Sequence, residues 1–302
     1  LMPQLAFIFP GQGSQHLGML QNVYQDSQIV RDTFVEANEA LGVDLWQICQ
    51  EDEARLNQTE FTQPALLSAS VALWREWQSQ GKETPNIMAG HSLGEYSALV
   101  CAGTMCFADA VKVVSQRGQF MQQAVPAGTG AMSAIIGLDD DAVVSVCEQA
   151  SEKGVVAAVN FNSPGQVVIA GEKGAVEVAN ELAKEAGAKR ALMLPVSVPS
   201  HCALMKPAAE KLSDVLVSID ISTPSIPVIH NVDVMSHDNA DDIRKALVAQ
   251  LYSPVRWTET IQAMAQQSVT DFVECGPGKV LTGLNKRINK ELSTTQFEGV
   301  AA

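Results

Sequence analysis

The segment that most constrains the fold is an apolar run that ends in a serine-centred glycine turn. Residues 86–90 have the composition of a buried strand, the turn is Gly90-His91-Ser92-Leu93-Gly94, and residues 95–101 have the spacing of a helix. A strand that passes directly into a helix needs glycines on both sides of the turn, because the two backbones pack closely there. The segment therefore predicts an α/β fold in which the Ser92 hydroxyl is exposed at the end of a strand.

The rest of the chain alternates strand-like and helix-like segments, which favours the same α/β class. Residues 127–196 have the order strand, helix, strand, strand, helix, strand, which is the ferredoxin-like arrangement. We therefore expect a core with a parallel sheet from residues 1–126 and 197–302, and an inserted ferredoxin-like subdomain at 127–196. Further expectations are a strand at 4–9, helices at 63–77 (with Thr62 as a possible cap), 109–123 and 202–217, and a strand at 226–231.

Composition excludes several classes of function. The formal net charge of −14 leaves no overall electrostatic footprint for nucleic acid or an anionic membrane. No apolar run approaches the ~20 residues that span a bilayer, and the N-terminus lacks the basic region of a signal peptide. The six cysteines form no C-x-x-C pair, so we expect no metal site, and their pattern fits a reducing cytosol. We expect a cytoplasmic protein.

Ser92 is the candidate nucleophile, because the helix after it points its N-terminal amides at the site and favours developing negative charge. Acyl transfer also needs two donors for the oxyanion. The Leu93 amide is the usual first donor, and the glycine turn after the first strand offers the Gln12 amide as the second. A short motif of this kind also arises by chance. An incidental turn serine and a plain glycine turn are the alternative interpretations.

The general base is sought among five histidines. His201 and His230 both lie near the carboxyl ends of predicted strands, where sites in such sheets gather, and we favour His201. His91 is the chain neighbour of Ser92 and is expected to point away from it. Either candidate could instead be a hydrogen-bonded structural histidine. No Asp or Glu stands out as the group that orients the base.

Arg117 lies on the apolar face of its predicted helix, since its neighbours three and four residues away are Val113, Val114, Phe120 and Met121. A buried guanidinium requires a carboxylate or phosphate partner, best held by two hydrogen bonds. One interpretation is a structural salt bridge with an acidic side chain. The other is a socket for a substrate carboxylate, which predicts a dicarboxylic acyl group.

Six motifs in order along the chain resemble the malonyl-CoA:acyl carrier protein transacylases of bacterial fatty acid synthesis. They are Phe9-Pro10-Gly11-Gln12-Gly13-Ser14-Gln15, Gly90-His91-Ser92-Leu93-Gly94-Glu95-Tyr96, Gln116-Arg117-Gly118, Asn160-Phe161-Asn162-Ser163-Pro164-Gly165-Gln166, Pro199-Ser200-His201 and Glu274-Cys275-Gly276-Pro277-Gly278. Cys275 replaces the valine expected there, which is a small apolar change. The resemblance implies an α/β-hydrolase-like core with a ferredoxin-like insertion.

The resemblance also implies a role for individual residues. Ser92 would be the nucleophile, His201 the base and Arg117 the clamp on the malonyl carboxylate. Gln250 would orient the histidine through its backbone carbonyl, in place of an acid. Two further sets follow: the oxyanion amides of Gln12 and Leu93, and the acyl-pocket residues Gln63, Met121 and Asn231.

The implied reaction is ping-pong transfer of malonyl from malonyl-CoA to the phosphopantetheine thiol of acyl carrier protein, with no cofactor. Because the carrier proteins of this pathway are acidic, we expect docking at the densest basic region, formed by Lys279, Lys286, Arg287 and Lys290. A solvated helix face is the alternative for that region. A serine thioesterase or hydrolase is the alternative for the reaction, and a non-enzymatic carrier-binding scaffold is a third hypothesis.

Overall fold

The computed structural model describes residues 4–299, which build two separate sheets. The strands in chain order are β1 (Gln4–Phe9), β2 (Ile87–Gly90), β3 (Gly130–Ile136), β4 (Val156–Ser163), β5 (Gln166–Glu172), β6 (Arg190–Met193), β7 (Val228–Ile229), β8 (Val269–Cys275) and β9 (Ser293–Phe297). The first sheet has the order β7-β2-β1-β8-β9 and every pairing in it is parallel. The second has the order β4-β5-β3-β6 and is antiparallel throughout.

Helices connect these strands. They are α1 (Gln21–Asp26), α2 (Gln28–Leu41), α3 (Leu45–Glu51), α4 (Glu53–Leu56), α5 (Thr59–Ser79), α6 (Gly94–Cys101), α7 (Phe107–Gln123), α8 (Asp140–Ala150), α9 (Lys173–Glu185), α10 (Lys206–Val217), α11 (Ala240–Gln250), α12 (Trp257–Gln266) and α13 (Val280–Ile288). None of the helices within residues 4–299 combines the length and the apolar character that a membrane crossing requires.

The parallel sheet is covered on both faces, as its continuous apolar strands require. Side chains alternate along β1, so that Phe7 and Phe9 pack into the cluster beneath α2, α5, α6 and α7, while Ala6 and Ile8 pack on the opposite side with α12 and α13. The carboxyl ends of β1, β2 and β7 therefore meet at one edge. The segments that follow these strands carry Gln12, Ser92 and Asn231.

The antiparallel sheet packs α8 and α9 against one face. Its strand order, with helices after the first and third strands, is the ferredoxin-like topology. The predicted fold class is therefore confirmed. The chain boundaries at 126–127 and 196–197 stay a prediction.

Strand β4 is bound to the loop before α12 and to the nucleophile turn of the parallel-sheet core. The Val255 amide donates to the Val159 carbonyl at 2.7 Å, and the Phe161 amide donates to the Val255 carbonyl at 3.0 Å. His91 Nε2 lies 2.7 Å from Asn162 Oδ1. The antiparallel sheet is thus fixed over the carboxyl edge of the parallel sheet.

Several predicted boundaries were wrong. Helix α5 begins at Thr59, so Thr62 lies inside it, and its hydroxyl donates to the carbonyls of Leu56 and Gln58 instead of capping. Helix α10 begins at Lys206 after a single 3-10 turn, and β7 is only two residues long. The predicted helix began too early and the predicted strand was too long, because buried apolar residues such as Met205 and Ile226 lie just outside α10 and β7.

Candidate active site

The turn after β2 holds Ser92 in a strained conformation. Its φ is 54°, a left-handed value that side-chain-bearing residues seldom adopt and that persists only where the surroundings enforce it. A Cβ on Gly94 would overlap the Phe9 carbonyl, and one on Gly90 would overlap the carbonyl of Gly94. The glycines therefore let β1, β2 and α6 approach closely enough to form the sharp strand-to-helix turn that the motif predicts.

His201 lies beside Ser92, with its Nε2 atom 2.8 Å from the Ser92 Oγ. Its Nδ1 atom is 2.7 Å from the backbone carbonyl of Gln250. Because a carbonyl only accepts, Nδ1 carries the proton and Nε2 presents its lone pair to the serine hydroxyl. The structure thus brings together the predicted serine, histidine and carbonyl in one hydrogen-bonded row.

The environment of His201 keeps the ring neutral. Burial lowers the pKa of His201 to about 3, and the positive charge of Arg117 acts in the same direction. A neutral imidazole is the form that accepts a proton. His201 is therefore in its basic form throughout the physiological pH range.

The alternative base, His230, faces away from the serine and belongs to another pair. It is fully buried, and its Nδ1 atom lies 3.1 Å from Glu95 Oε2. His91 likewise pairs with Asn162 rather than with Ser92. The sequence pattern favoured His201 but left His230 open, and in the structure it is His201 that lies against the serine.

Arg117 is only 1% exposed, yet it has no acidic partner within ion-pair distance among residues 4–299. One terminal nitrogen donates to Gln63 Oε1 at 2.7 Å and the other to Gln250 Oε1 at 2.9 Å. The guanidinium lies 5.5 Å from the Tyr96 ring centre. Burial lowers the pKa of Arg117 from its ordinary value. The structural salt bridge considered as one interpretation is absent from this part of the chain.

The two candidate oxyanion amides lie at the same turn. A Cβ on Gly11 would overlap the His91 carbonyl and would lie 3.7 Å from the Leu93 nitrogen, so the loop after β1 touches the nucleophile turn. Within residues 4–299, neither the Gln12 nor the Leu93 N–H donates to a protein acceptor. Two free donors next to a nucleophile suit an oxyanion.

A cavity of about 720 Å³ opens at this point between the two sheets. Ser92, His201, Arg117 and Met121 line it, and residues 194–198 close one side. Part of its wall comes from the antiparallel sheet, through Met132 and Asn160. A space of this size suits a small acyl group with an extended carrier arm.

Two residues expected to line the acyl pocket, Gln63 and Asn231, lie behind the cavity wall instead. Gln63 holds Arg117 and donates to Met121 Sδ at 3.6 Å. Asn231 is fully buried beneath the serine, where its Oδ1 accepts from the Ser92 amide at 2.9 Å. The Gln250 side chain donates to the Ser92 carbonyl at 2.9 Å, in addition to the contact through its backbone.

Sequence reasoning missed the buried pair of Glu95 and His230 behind the nucleophile. Both are fully buried, and they lie 135 positions apart in the chain. The available signal was a glutamate directly after the last glycine of the serine motif, inside an apolar helix. A charged residue in such a place requires a buried partner.

The remaining predicted residues lie away from the cavity. Lys279, Lys286, Arg287 and Lys290 are exposed on and around α13. No group of three His, Cys, Asp or Glu side chains suited to a metal ion is found within residues 4–299.

The parallel sheet, the serine–histidine pair and the nearby Gln12 and Leu93 amides form an arrangement typical of enzymes that move acyl groups. A model of the acyl transferase domain matches residues 6–298. The malonyl CoA-acyl carrier protein transacylase of Escherichia coli strain K12 is 61% identical over 302 residues, covering 100% of this chain and 98% of that protein.

Solved structures agree with the sequence comparison. The malonyl CoA-acyl carrier protein transacylase from Coxiella burnetii superposes with a TM-score of 0.97 at 52% identity, covering 99% of this chain and 95% of that one. A malonyl-transacylase in complex with a type II PKS acyl-carrier protein also superposes with a TM-score of 0.97, at 56% identity, covering 98% and 96%. The chain belongs to the acyl transferase family, and its predicted resemblance to the malonyl CoA-acyl carrier protein transacylases is confirmed.

Proposed function

We propose that this acyltransferase moves malonyl from malonyl-CoA to the phosphopantetheine thiol of acyl carrier protein, and so supplies fatty acid elongation. The observation that carries the proposal is Arg117, a buried cation without an acidic partner among residues 4–299, on the same cavity as Ser92 and His201. A malonyl group brings the carboxylate that this guanidinium lacks. The names of the relatives support the same substrate.

In the first half of the reaction, Ser92 Oγ attacks the thioester carbonyl carbon and its proton passes to His201 Nε2. The amides of Gln12 and Leu93 hold the oxyanion while the carbon–sulfur bond breaks. The departing CoA thiolate takes the proton from His201. Malonyl remains on Ser92 as an ester, with its carboxylate on Arg117.

In the second half, the carrier thiol gives its proton to His201 and attacks the ester carbon. The carbon–oxygen bond breaks, and Ser92 Oγ recovers the proton. The Gln250 carbonyl holds His201 in the required tautomer throughout. Gln63 and Gln250 orient Arg117, Met121 lines the acyl pocket, and Asn231 supports the serine from below.

These side chains and amides supply every group that the transfer requires, so we propose no resident metal or cofactor. We keep the cytoplasm as the proposed location, since five of the six cysteines are buried thiols, which suits a reducing compartment. We also keep Lys279, Lys286, Arg287 and Lys290 as the proposed docking surface for the carrier.

The test is acylation with malonyl-CoA alone, followed by mass spectrometry of the intact chain and its peptides. We expect one malonyl group per chain, on Ser92. Ser92→Ala should carry none, while Ser218→Ala, which changes an exposed serine at the end of α10, should carry the same adduct as wild type. An adduct on another residue would contradict the proposal.

A serine hydrolase has the same nucleophile and base. Hydrolysis differs from the proposed transfer in its acceptor, which is water instead of a carrier thiol. We expect sustained malonyl-CoA consumption only when a carrier thiol is added. Steady turnover in water without an acceptor thiol would favour the hydrolase.

A further inference from the structure

A buried ionic pair lies directly behind the nucleophile turn and takes no part in the reaction as described. Glu95 follows Gly94 in the first turn of α6, and His230 follows β7. Both side chains are 0% exposed, with His230 Nδ1 3.1 Å from Glu95 Oε2. The other carboxylate oxygen, Oε1, accepts from the Asn231 amide at 2.7 Å. The carboxylate thus holds two consecutive residues at the end of β7.

Asn231 connects this pair to the serine. Its Nδ2 donates to the Gly90 carbonyl at 2.7 Å, and its Oδ1 accepts from the Ser92 amide at 2.9 Å. One side-chain amide therefore binds the backbone on both sides of His91 and fixes the turn whose φ at Ser92 is 54°. Because that conformation is strained, it depends on contacts of this kind.

The same Asn231 oxygen also reaches the base. Gln250 Nε2 donates to it at 3.2 Å, and the backbone carbonyl of Gln250 holds His201 Nδ1. A shift of Asn231 would therefore move the nucleophile and its base together. Correct spacing of these two groups governs the rate of attack.

The chemistry of the pair explains why a carboxylate is required. Glu95 offers two acceptors to two donors, the Asn231 N–H and the His230 Nδ1–H. Burial lowers the pKa of His230, but the adjacent Glu95 carboxylate outweighs that effect, with a further contribution from Asp233, so the pKa lies above its ordinary value. A glutamine at position 95 has one acceptor and one donor group, so it cannot satisfy both contacts unchanged.

We propose that Glu95 and His230 are positioning residues, which act through Asn231 to hold the Ser92 turn in its reactive conformation. The inference rests on the proposed role of Ser92 as nucleophile. Neither residue touches the substrate. Their effect is expected on the reactivity of the serine and not on the affinity for malonyl-CoA.

The experiment uses a fluorophosphonate probe, which labels an activated serine without malonyl-CoA or a carrier. The variants are Glu95→Gln, His230→Leu and His230→Asn, of which the last keeps a donor near the position of Nδ1. Glu274→Gln is the matched control. Glu274 is also a fully buried carboxylate, but it accepts from the Leu281 and Thr282 amides and the Thr282 hydroxyl at the start of α13. Labelling rate, kcat, KM for malonyl-CoA and Tm are measured for each.

We expect Glu95→Gln and His230→Leu to lower the labelling rate of Ser92 and kcat by about tenfold or more, the size of one lost charge-assisted hydrogen bond. KM should change by less than about twofold, because the binding groups stay in place. His230→Asn should recover most of the rate. Glu274→Gln should lower Tm but keep the labelling rate and kcat near wild type.

Three results would overturn the inference. The first is a folded Glu95→Gln variant that is labelled at the wild-type rate. The second is an equal loss of labelling rate and kcat in Glu274→Gln. The third is a labelling rate in His230→Asn as low as that in His230→Leu. If Glu95→Gln does not fold, the two His230 variants decide. Wild-type protein that is not labelled at Ser92 would overturn the proposed function as well, so the two failures are distinguishable.

Discussion

Arg117 is a buried cation whose two terminal nitrogens bind amide oxygens, those of Gln63 and Gln250. A guanidinium held by neutral acceptors keeps its full charge while losing its hydration. The side chain is thus oriented in advance for an anion that arrives with the substrate. At the scale of single residues, this arrangement supports Arg117 as the proposed clamp on the acyl carboxylate.

Replacing Arg117 by alanine should separate two substrates. We expect kcat/KM for malonyl-CoA to fall on the order of 100-fold, since paired charge-assisted hydrogen bonds are lost, while acetyl transfer stays equal or rises. Steady-state kinetics with both acyl-CoA substrates checks this. Arg31→Ala, at an arginine of α2, is the control and should change neither. An equal fall for both substrates would make Arg117 structural.

The pH profile tests the setting of His201. Because burial and Arg117 lower the pKa of His201 to about 3, the basic form persists as the pH falls. We expect kcat/KM for malonyl-CoA to lack an acid limb between about pH 5 and 8. In Arg117→Ala the repulsion between Arg117 and protonated His201 is gone, so the pKa of His201 rises. As the pH falls, acetyl transfer by this variant should therefore be lost at a higher pH than acetyl transfer by wild type. A wild-type limb near 6.5, the ordinary pKa of histidine, would contradict the assignment.

At the scale of elements, periodicity predicted the order of strands and helices through the antiparallel sheet and around Ser92. It missed the four helices between residues 21 and 56, three of which have seven residues or fewer. Cap residues were the available signal, since the side chains of Ser27, Asp44 and Asp52 accept from the first turns of α2, α3 and α4. Local sequence pattern was therefore sufficient to predict the elements that hold the motifs.

The rest of the site could not be predicted from local pattern, because it consists of contacts between distant residues. The Gln250 carbonyl reaches His201 across 49 positions, and its side chain reaches Arg117 across 133. Only the resemblance indicated the first contact, and nothing indicated the second. Such contacts depend on how helices pack on the sheet, which one sequence does not specify.

The close packing of β1, β2 and α6 makes a prediction about two glycines. Gly94→Ala would overlap the Phe9 carbonyl, so we expect a loss of about 1–3 kcal/mol in the free energy of unfolding and loss of Ser92 acylation. Gly174→Ala, in α9, has open space around the new Cβ and should stabilise by about 0.4–1 kcal/mol. Urea unfolding measures both. Similar effects for the two variants would contradict this packing argument.

At the scale of the whole molecule, the chain carries a net charge of −14. An acidic carrier protein is therefore repelled at long range and needs a local basic surface. The exposed residues on and around α13 are the proposed surface. They lie outside the cavity wall, so charge changes there leave the acylation site intact.

Charge reversal at two of these positions tests the docking surface. We expect Lys286→Glu with Arg287→Glu to raise KM for the carrier about tenfold and to leave the acylation of Ser92 by malonyl-CoA unchanged. Added salt should weaken carrier binding by the wild-type protein more than carrier binding by the variant. The control is Lys173→Glu with Lys184→Glu on α9. An unchanged carrier KM, or the same rise in the control, would remove α13 as the docking surface.

The carbonyl of Gln250 has a consequence for the choice of acceptor. An uncharged oxygen fixes the tautomer of His201 but gives little stabilisation to its protonated form, and Arg117 disfavours that form further. The ring is consequently a weak base. A thiol, with an ordinary pKa of about 8.5, gives up its proton to such a base far more readily than water, whose pKa is much higher. The acidity of the acceptor thus favours a thiol over water in the proposed second half of the reaction, and we expect the malonyl ester on Ser92 to persist until a carrier arm reaches it.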